Sequence, residues 1–444
     1  MKIRTMAAAF GVAGLSLGLA ACGSDSDPES SSSTSNTAGT SAEAQDISGE
    51  ITVLTNRTDI VDTVFQDYKT EFEAVYPDVE VTFEAITDYE GEVTTRMSTA
   101  DYGDVLLIPN SVKASDLPDF FEPLGTVEEL SKEYRFISTE MNYDGQSYGI
   151  AITGNANGIV YNKAVWEAAG ITDLPTTSDE FIADLQAIAD NTEATPLYTN
   201  YADGWPLTQW ESNRGEITAN PDYVNEMTQT DAPWTEGSDH YVMDSLLFDA
   251  VAAGLTETDP TTTNWEQSKS DLGTGKIGAM VLGSWAITQM QDAADDAADI
   301  GYMPFPAQVD GTFHSVTSGD YKNAINVNSE NKDAARAWID WFADESGYAA
   351  SQGGISPRLD GPTPDTLADF EAAGVEYIEL NPAPAGQESL VNDIDTASEI
   401  GLWSADYRQR IVDAARGARD ESKEDIFADL NAKWAAGRAD VAAG

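Results

Sequence analysis

Beyond residue 50 the apolar positions alternate between short runs and stretches at helical spacing. Ile51-Thr52-Val53-Leu54-Thr55 is a β-rich run; Ile60, Val61, Val64, Phe65, Tyr68, Phe72 and Val75 then recur every three to four residues until Pro77. Val79 to Ile86 predicts a second strand, Tyr89 to Ala100 a helix, and Asp104 to Ile108 a buried strand closed by Pro109-Asn110. This βαβαβ order predicts a parallel sheet, and such sheets take ligands beyond the carboxyl ends of their strands. Asn56 to Asp59 and Asn110-Ser111 fall on that rim. Farther on, Tyr161 to Ala169 and Ser178 to Ala189 predict helices, Lys276 to Leu282 and Ala324 to Asn328 strands, and Asp333 to Ala343 a helix. The region from Asp393 to Val441 is helical in pattern.

The first 46 residues read differently. Lys2 and Arg4 precede an apolar run, Met6 to Ala21, that is too short to span a bilayer and ends in Leu19-Ala20-Ala21-Cys22. Residues 1–21 are therefore expected to be a secretion signal. The Leu-Ala-Ala-Cys segment resembles a bacterial lipobox, which implies a diacylglycerol on Cys22, the only cysteine of the chain. Residues 22–46, rich in Ser, Thr, Asp and Gly, then form a flexible tether.

About 400 residues remain, more than one core usually serves. Their charge is extreme: 77 acidic against 23 basic residues give −54. Such a field repels nucleic acid and anionic lipid surfaces, and says little about a neutral ligand. Catalytic signatures are missing. The Gly14-Leu15-Ser16-Leu17-Gly18 match lies inside the signal, and His240 and His314 form no zinc motif. Paired carboxylates are uninformative where acids are this abundant. No cofactor and no metal are expected.

Tyr148-Gly149-Ile150-Ala151, Gly158-Ile159-Val160-Tyr161-Asn162-Lys163, Gly275 to Met280 with Gly283-Ser284-Trp285, Pro304-Phe305-Pro306 and Asn326-Val327-Asn328-Ser329 follow one another in this order. Together they resemble the family 1 extracellular solute-binding proteins, the maltose-binding-protein-like receptors of ABC sugar importers. The resemblance implies a two-lobed α/β clamshell of type II, each lobe a mostly parallel sheet flanked by helices. Lobe 1 would comprise 47–154 and about 322–375, lobe 2 residues 155–321 and about 376–444. It further implies a monomer on the outer face of a bacterial membrane, held there only by its lipid, that delivers a sugar to a permease and is no enzyme.

A sugar needs an aromatic plane and paired polar groups. The resemblance places Trp285, Tyr201, Trp205, Trp210 and Trp403 as stacking candidates, and Asp320 and Tyr321 beside the second crossing between lobes. The residues themselves add Arg57, Thr58 and Asp59 where the first strand meets its helix, with Thr58 or Asp59 expected to cap that helix. Asn155 and Asn157 offer amides at the first crossing. Trp338 and Trp341, at i and i+3 among alanines, read as core. The alternatives are a polyamine or peptide ligand on the same scaffold, and a secreted carbohydrate-active enzyme.

Overall fold

The structure, a computed structural model, describes residues 47–87 and 89–443. The signal, Cys22 and the tether lie outside the described residues.

Two sheets organise this chain. In the first, β1 (Gly49–Thr55), β2 (Val79–Ala85) and β3 (Val105–Leu107) are parallel in the order β2-β1-β3. Helices α1 (Val64–Val75) and α2 (Tyr89–Arg96) make the crossovers that parallel neighbours need. β4 (Phe121–Glu122) and β5 (Ile150–Ala151) complete this stretch. The second sheet begins at β6 (Gly154–Asn162) and adds β7 (Thr195–Leu197), β8 (Ile277–Gly283), β9 (Ile300–Met303), β10 (Gln308–Val309) and β11 (Thr312–Gly319). β7 runs parallel to β8, whereas β6 is antiparallel to β8, β9 and β11. β12 (Lys322–Asn326) returns to the first sheet, antiparallel to β3, β4 and β5, and β13 (Glu376–Ile378) joins the second.

Both sheets are therefore mixed, where the resemblance implies mostly parallel ones; the parallel start that the residue pattern predicts is present in β1, β2 and β3. The cause lies at the crossings. β5 runs into β6, and β11 into β12, through two residues each, too few for a helical crossover. The two crossing segments pair antiparallel on both sides of the junction, Thr317 with Ala156 and Lys322 with Ala151. They form one ribbon that passes from sheet to sheet.

Element boundaries also move. Tyr161 lies in β6, not in a helix; the next helix starts at Lys163, where the Asn162 side chain accepts the Val165 N–H at 3.0 Å. α1 begins at Val64 rather than near Ile60, so neither Thr58 nor Asp59 caps it. Residues 57–63 instead form turns closed on the Arg57 and Ile60 carbonyls.

The cores follow from the patterning. Leu54, Phe72, Val81, Leu106 and Trp338 pack in the first-sheet core, with Trp338 fully buried and Trp341 beside it. β8 is buried along its whole length because both faces are covered: Ala279 and Val281 meet one core with Phe181, Leu247 and Ile411, while Met280 and Leu282 meet another with Met290, Tyr302 and Phe370. No helix among the described residues is long and apolar enough to cross a membrane.

Candidate functional site

A cavity of about 910 Å³ opens beside the crossing ribbon, within the range of small-molecule sites. The loop after β1 contributes Asn56, Arg57 and Asp59, and the ribbon contributes Asn155, Asn157, Asp320 and Tyr321. Trp285 enters from the carboxyl end of β8.

Arg57 is held closed. Its Nε and Nη2 donate to the two oxygens of Asp59 at 2.9 and 2.7 Å, and its Nη1 donates to the Tyr348 hydroxyl at 2.8 Å and to Gln352 Oε1 at 2.6 Å. Burial pulls the guanidinium down, but the bonds to Asp59 and Tyr348 raise it overall; the bond from Arg57 in turn holds Asp59 below the usual carboxylate range. A fork spent on an internal carboxylate is not available to an anionic ligand. Burial also pushes the Tyr348 phenol up to about 12, so it stays protonated, and because it accepts from Arg57 its own proton is left to donate.

On the ribbon, Asn157 donates its amide to the carbonyls of Ser212 and Val316, both at 2.9 Å, which leaves Oδ1 as its acceptor. Asn155 stands opposite Ser318 in the β6–β11 register. Asp320 accepts the Tyr321 N–H at 2.8 Å, and the Tyr321 hydroxyl donates to Glu90 at 2.7 Å. Thr58 is exposed and does not line the cavity, nor do Asn110 and Ser111; Asn110 bonds Glu90 instead.

The aromatic candidates separate. Trp285 lines the cavity, with Trp205 at 5.8 Å and Trp265 at 5.9 Å between ring centroids. Trp205, 37% exposed, stands just outside. Trp210 is buried in the second-sheet core, edge-on to Phe305. Tyr201 donates to Asp413 away from the cavity. Trp403 is 49% exposed, its ring 5.2 Å from the Arg214 guanidinium.

Several lining residues escaped the sequence reading. Thr288, Gln289 and Asp292 follow Trp285 at i+3, i+4 and i+7, and Ser351 and Gln352 follow Tyr348 at i+3 and i+4. For the first set the available signal was a polar stripe at helical spacing directly after the end of β8; the second follows the helix Lys332–Asp344 and has no strand end to mark it. Gln209 and Ser212 come from a single 3₁₀ turn, Gln209–Asn213, too short to leave a periodic trace. Among the described residues no group of three or more His, Cys, Asp or Glu is placed to hold a metal ion. The arrangement offers three aromatic rings, Trp285, Tyr321 and Tyr348, many uncharged donors and acceptors, and three carboxylates, of which Asp59 is paired with Arg57 while Asp292 and Asp320 face the cavity with it.

The sequence model of the bacterial extracellular solute-binding proteins matches residues 57–349. A binding protein of an ABC transporter from Bifidobacterium animalis subsp. lactis, solved with mannobiose, superposes with a TM-score of 0.82 at 36% identity, over 91% of this chain and 98% of that one. A manno-oligosaccharide-specific solute-binding protein of the same organism, solved with mannotriose, gives 0.82 and 35% over 91% and 97%. The diacetylchitobiose-binding protein of Streptomyces coelicolor is 28% identical over 383 residues, 80% of this chain and 82% of the relative.

Proposed function

Because the chain belongs to the bacterial extracellular solute-binding proteins, and so binds a solute rather than transforming it, we propose that it captures a neutral oligosaccharide of the mannose class for an ABC importer. The observation that carries this reading is the cavity itself: Trp285 supplies a plane for the C–H face of a sugar ring, while Asn155, Asn157, Gln209 and the Tyr348 hydroxyl supply uncharged partners for its hydroxyls. The closure of Arg57 on Asp59 argues against a phosphorylated or carboxylated sugar. The two Bifidobacterium proteins, which match over almost their whole length, support the mannose class and the transporter.

In this reading residues 47–154 with about 322–375 act as one lobe, and residues 155–321 with about 376–444 as the other. They swing about the ribbon, so that ligand held on Trp285 and Asn157 is closed over by Arg57, Tyr348 and Gln352. Trp205, tilted 43° to Trp285, adds a second apolar face outside the cavity, and Trp403 is the rim residue that meets a longer chain. Cys22 carries the lipid and residues 23–46 the reach, so the protein works as a monomer at the outer face of the membrane.

A second reading, capture of a polyamine, rests on Asp292 and Asp320, which line the cavity while its one arginine is spent on Asp59. A thermal-shift series with mannobiose, mannotriose, maltotriose, diacetylchitobiose and spermidine separates the two. Stabilisation by the manno-oligosaccharides, recovered intact afterwards, is the expected outcome. Stabilisation by spermidine alone would replace the sugar reading with the second.

A further inference from the structure

The 3₁₀ turn Gln209–Asn213 sorts its side chains by threes, as 3.0 residues per turn requires. Gln209 and Ser212 face the cavity; Trp210 and Asn213 are buried. Glu211, on the remaining side with Arg214, is fully buried and ionically bound. Its carboxylate meets His240 Nε2 at 3.0 Å, accepts from Arg408 Nη2 at 2.8 Å, and accepts from Arg214 Nη1 at 3.2 Å. Burial raises this carboxyl, but His240 and the two arginines outweigh that and hold it well below the usual range. The holders are themselves held. His240 Nδ1 bonds the Tyr223 hydroxyl at 2.9 Å, and Arg408 Nε donates to Asp244, which also accepts from Trp234 Nε1 and the Tyr407 hydroxyl.

We infer that Glu211 is a positioning residue for ligand capture: gripped from behind by Arg408, His240 and Arg214, it fixes the rotation of the turn that presents Gln209 and Ser212 to the cavity. The same rotation aims the Ser212 carbonyl at the Asn157 amide, so the turn and the ribbon are set together. A buried carboxylate with three cationic or hydrogen-bonding partners has one satisfied orientation, and a turn this short has no other means of choosing its register. The fully buried members, Glu211, His240, Arg408 and Asp244, lie on the side of the turn away from the cavity, whereas Arg214 is partly exposed and reaches the Trp403 ring. No member of the network lines the cavity, so it acts only through Gln209, Ser212 and Asn157.

The inference about affinity rests on the sugar reading; the inference about the turn does not. Mannotriose affinity is compared in the wild type, E211Q, the double variant Q209A/S212A, and the triple variant. E211Q is expected to weaken binding about tenfold in the wild type and less than about twofold where the cavity-facing side chains are already gone. Equal loss in both backgrounds would mean a merely structural role and overturn the proposal. Hydrogen exchange of the unliganded protein is read alongside: faster exchange confined to residues 209–216 and β6 is expected, and wild-type protection there overturns the positioning role. Should E211Q not fold, Tyr223→Phe, which removes the hydroxyl holding His240 and lies away from the cavity, is used, with an expected loss of about threefold in the wild-type background, and unchanged affinity would overturn the proposal. A wild type that takes up no sugar while its turn loosens in E211Q would sink the sugar reading and leave the positioning role standing.

Discussion

At the scale of single residues, tryptophans of one chemical type serve three ends. Trp285 lines the cavity, Trp205 packs against it from outside, and Trp210 fills the core. Trp285→Ala should weaken sugar binding tenfold or more, since a stacked ring contributes about 0.5–1.5 kcal/mol beyond its buried area, and should leave the melting temperature of the free protein within a few degrees. Trp210→Ala should do the reverse, costing about 3–5 kcal/mol of stability in denaturant titration. Wild-type stability in Trp210→Ala would contradict its place in the core. Trp285 was legible in the sequence because Gly283-Ser284 marks where β8 ends. Trp210 was not, because residues 209 and 210 face different sides of one 3₁₀ turn whose direction is fixed where His240 and Arg408, from distant parts of the chain, hold Glu211.

At the scale of elements, the βαβαβ start was readable from hydrophobic period alone, and β1, β2 and β3 form with it. The ribbon was not readable, because pairing of residues 150–157 with 315–323 is set by tertiary return of the chain and leaves no local pattern. The start of the helix after β6 was missed because a buried strand and a buried helix both read as apolar runs around Tyr161. Close approach within the second sheet has a testable cost. A Cβ on Gly158 of β6 would lie 2.5 Å from the Met303 carbonyl oxygen of β9 and 3.0 Å from the Phe370 ring. Gly158→Ala should therefore destabilise the protein by about 1–3 kcal/mol in urea titration; an unchanged midpoint would mean that the β6–β9 pairing is looser than described.

At the scale of the whole molecule, a charge of −54 and a set of buried acids act in the same direction. Desolvation raises Glu216, Asp239, Glu257, Asp340 and Asp395, and takes Asp184 to about 6. A carboxyl raised in the folded state gives its full stabilisation below its unfolded value of about 4, and loses it as pH rises through the folded value. Glu211, Asp59 and Glu84 are lowered, so their contribution is complete above about 4 and is lost as pH falls through their folded values. The melting temperature should peak near pH 5 and fall toward pH 8, by about a few degrees, with added salt reducing the fall. A steady rise from pH 5 to 8 would contradict this balance.

We place the captured oligosaccharide in the cavity beside the ribbon, on Trp285. Calorimetric titration of the protein with mannotriose, repeated on Trp285→Ala and with spermidine in place of the sugar, tests this placement most directly. Saturable one-to-one sugar binding, weakened tenfold or more in the variant, with no comparable response to spermidine, is the expected result. Sugar binding untouched by the substitution, or heat with spermidine alone, would contradict it.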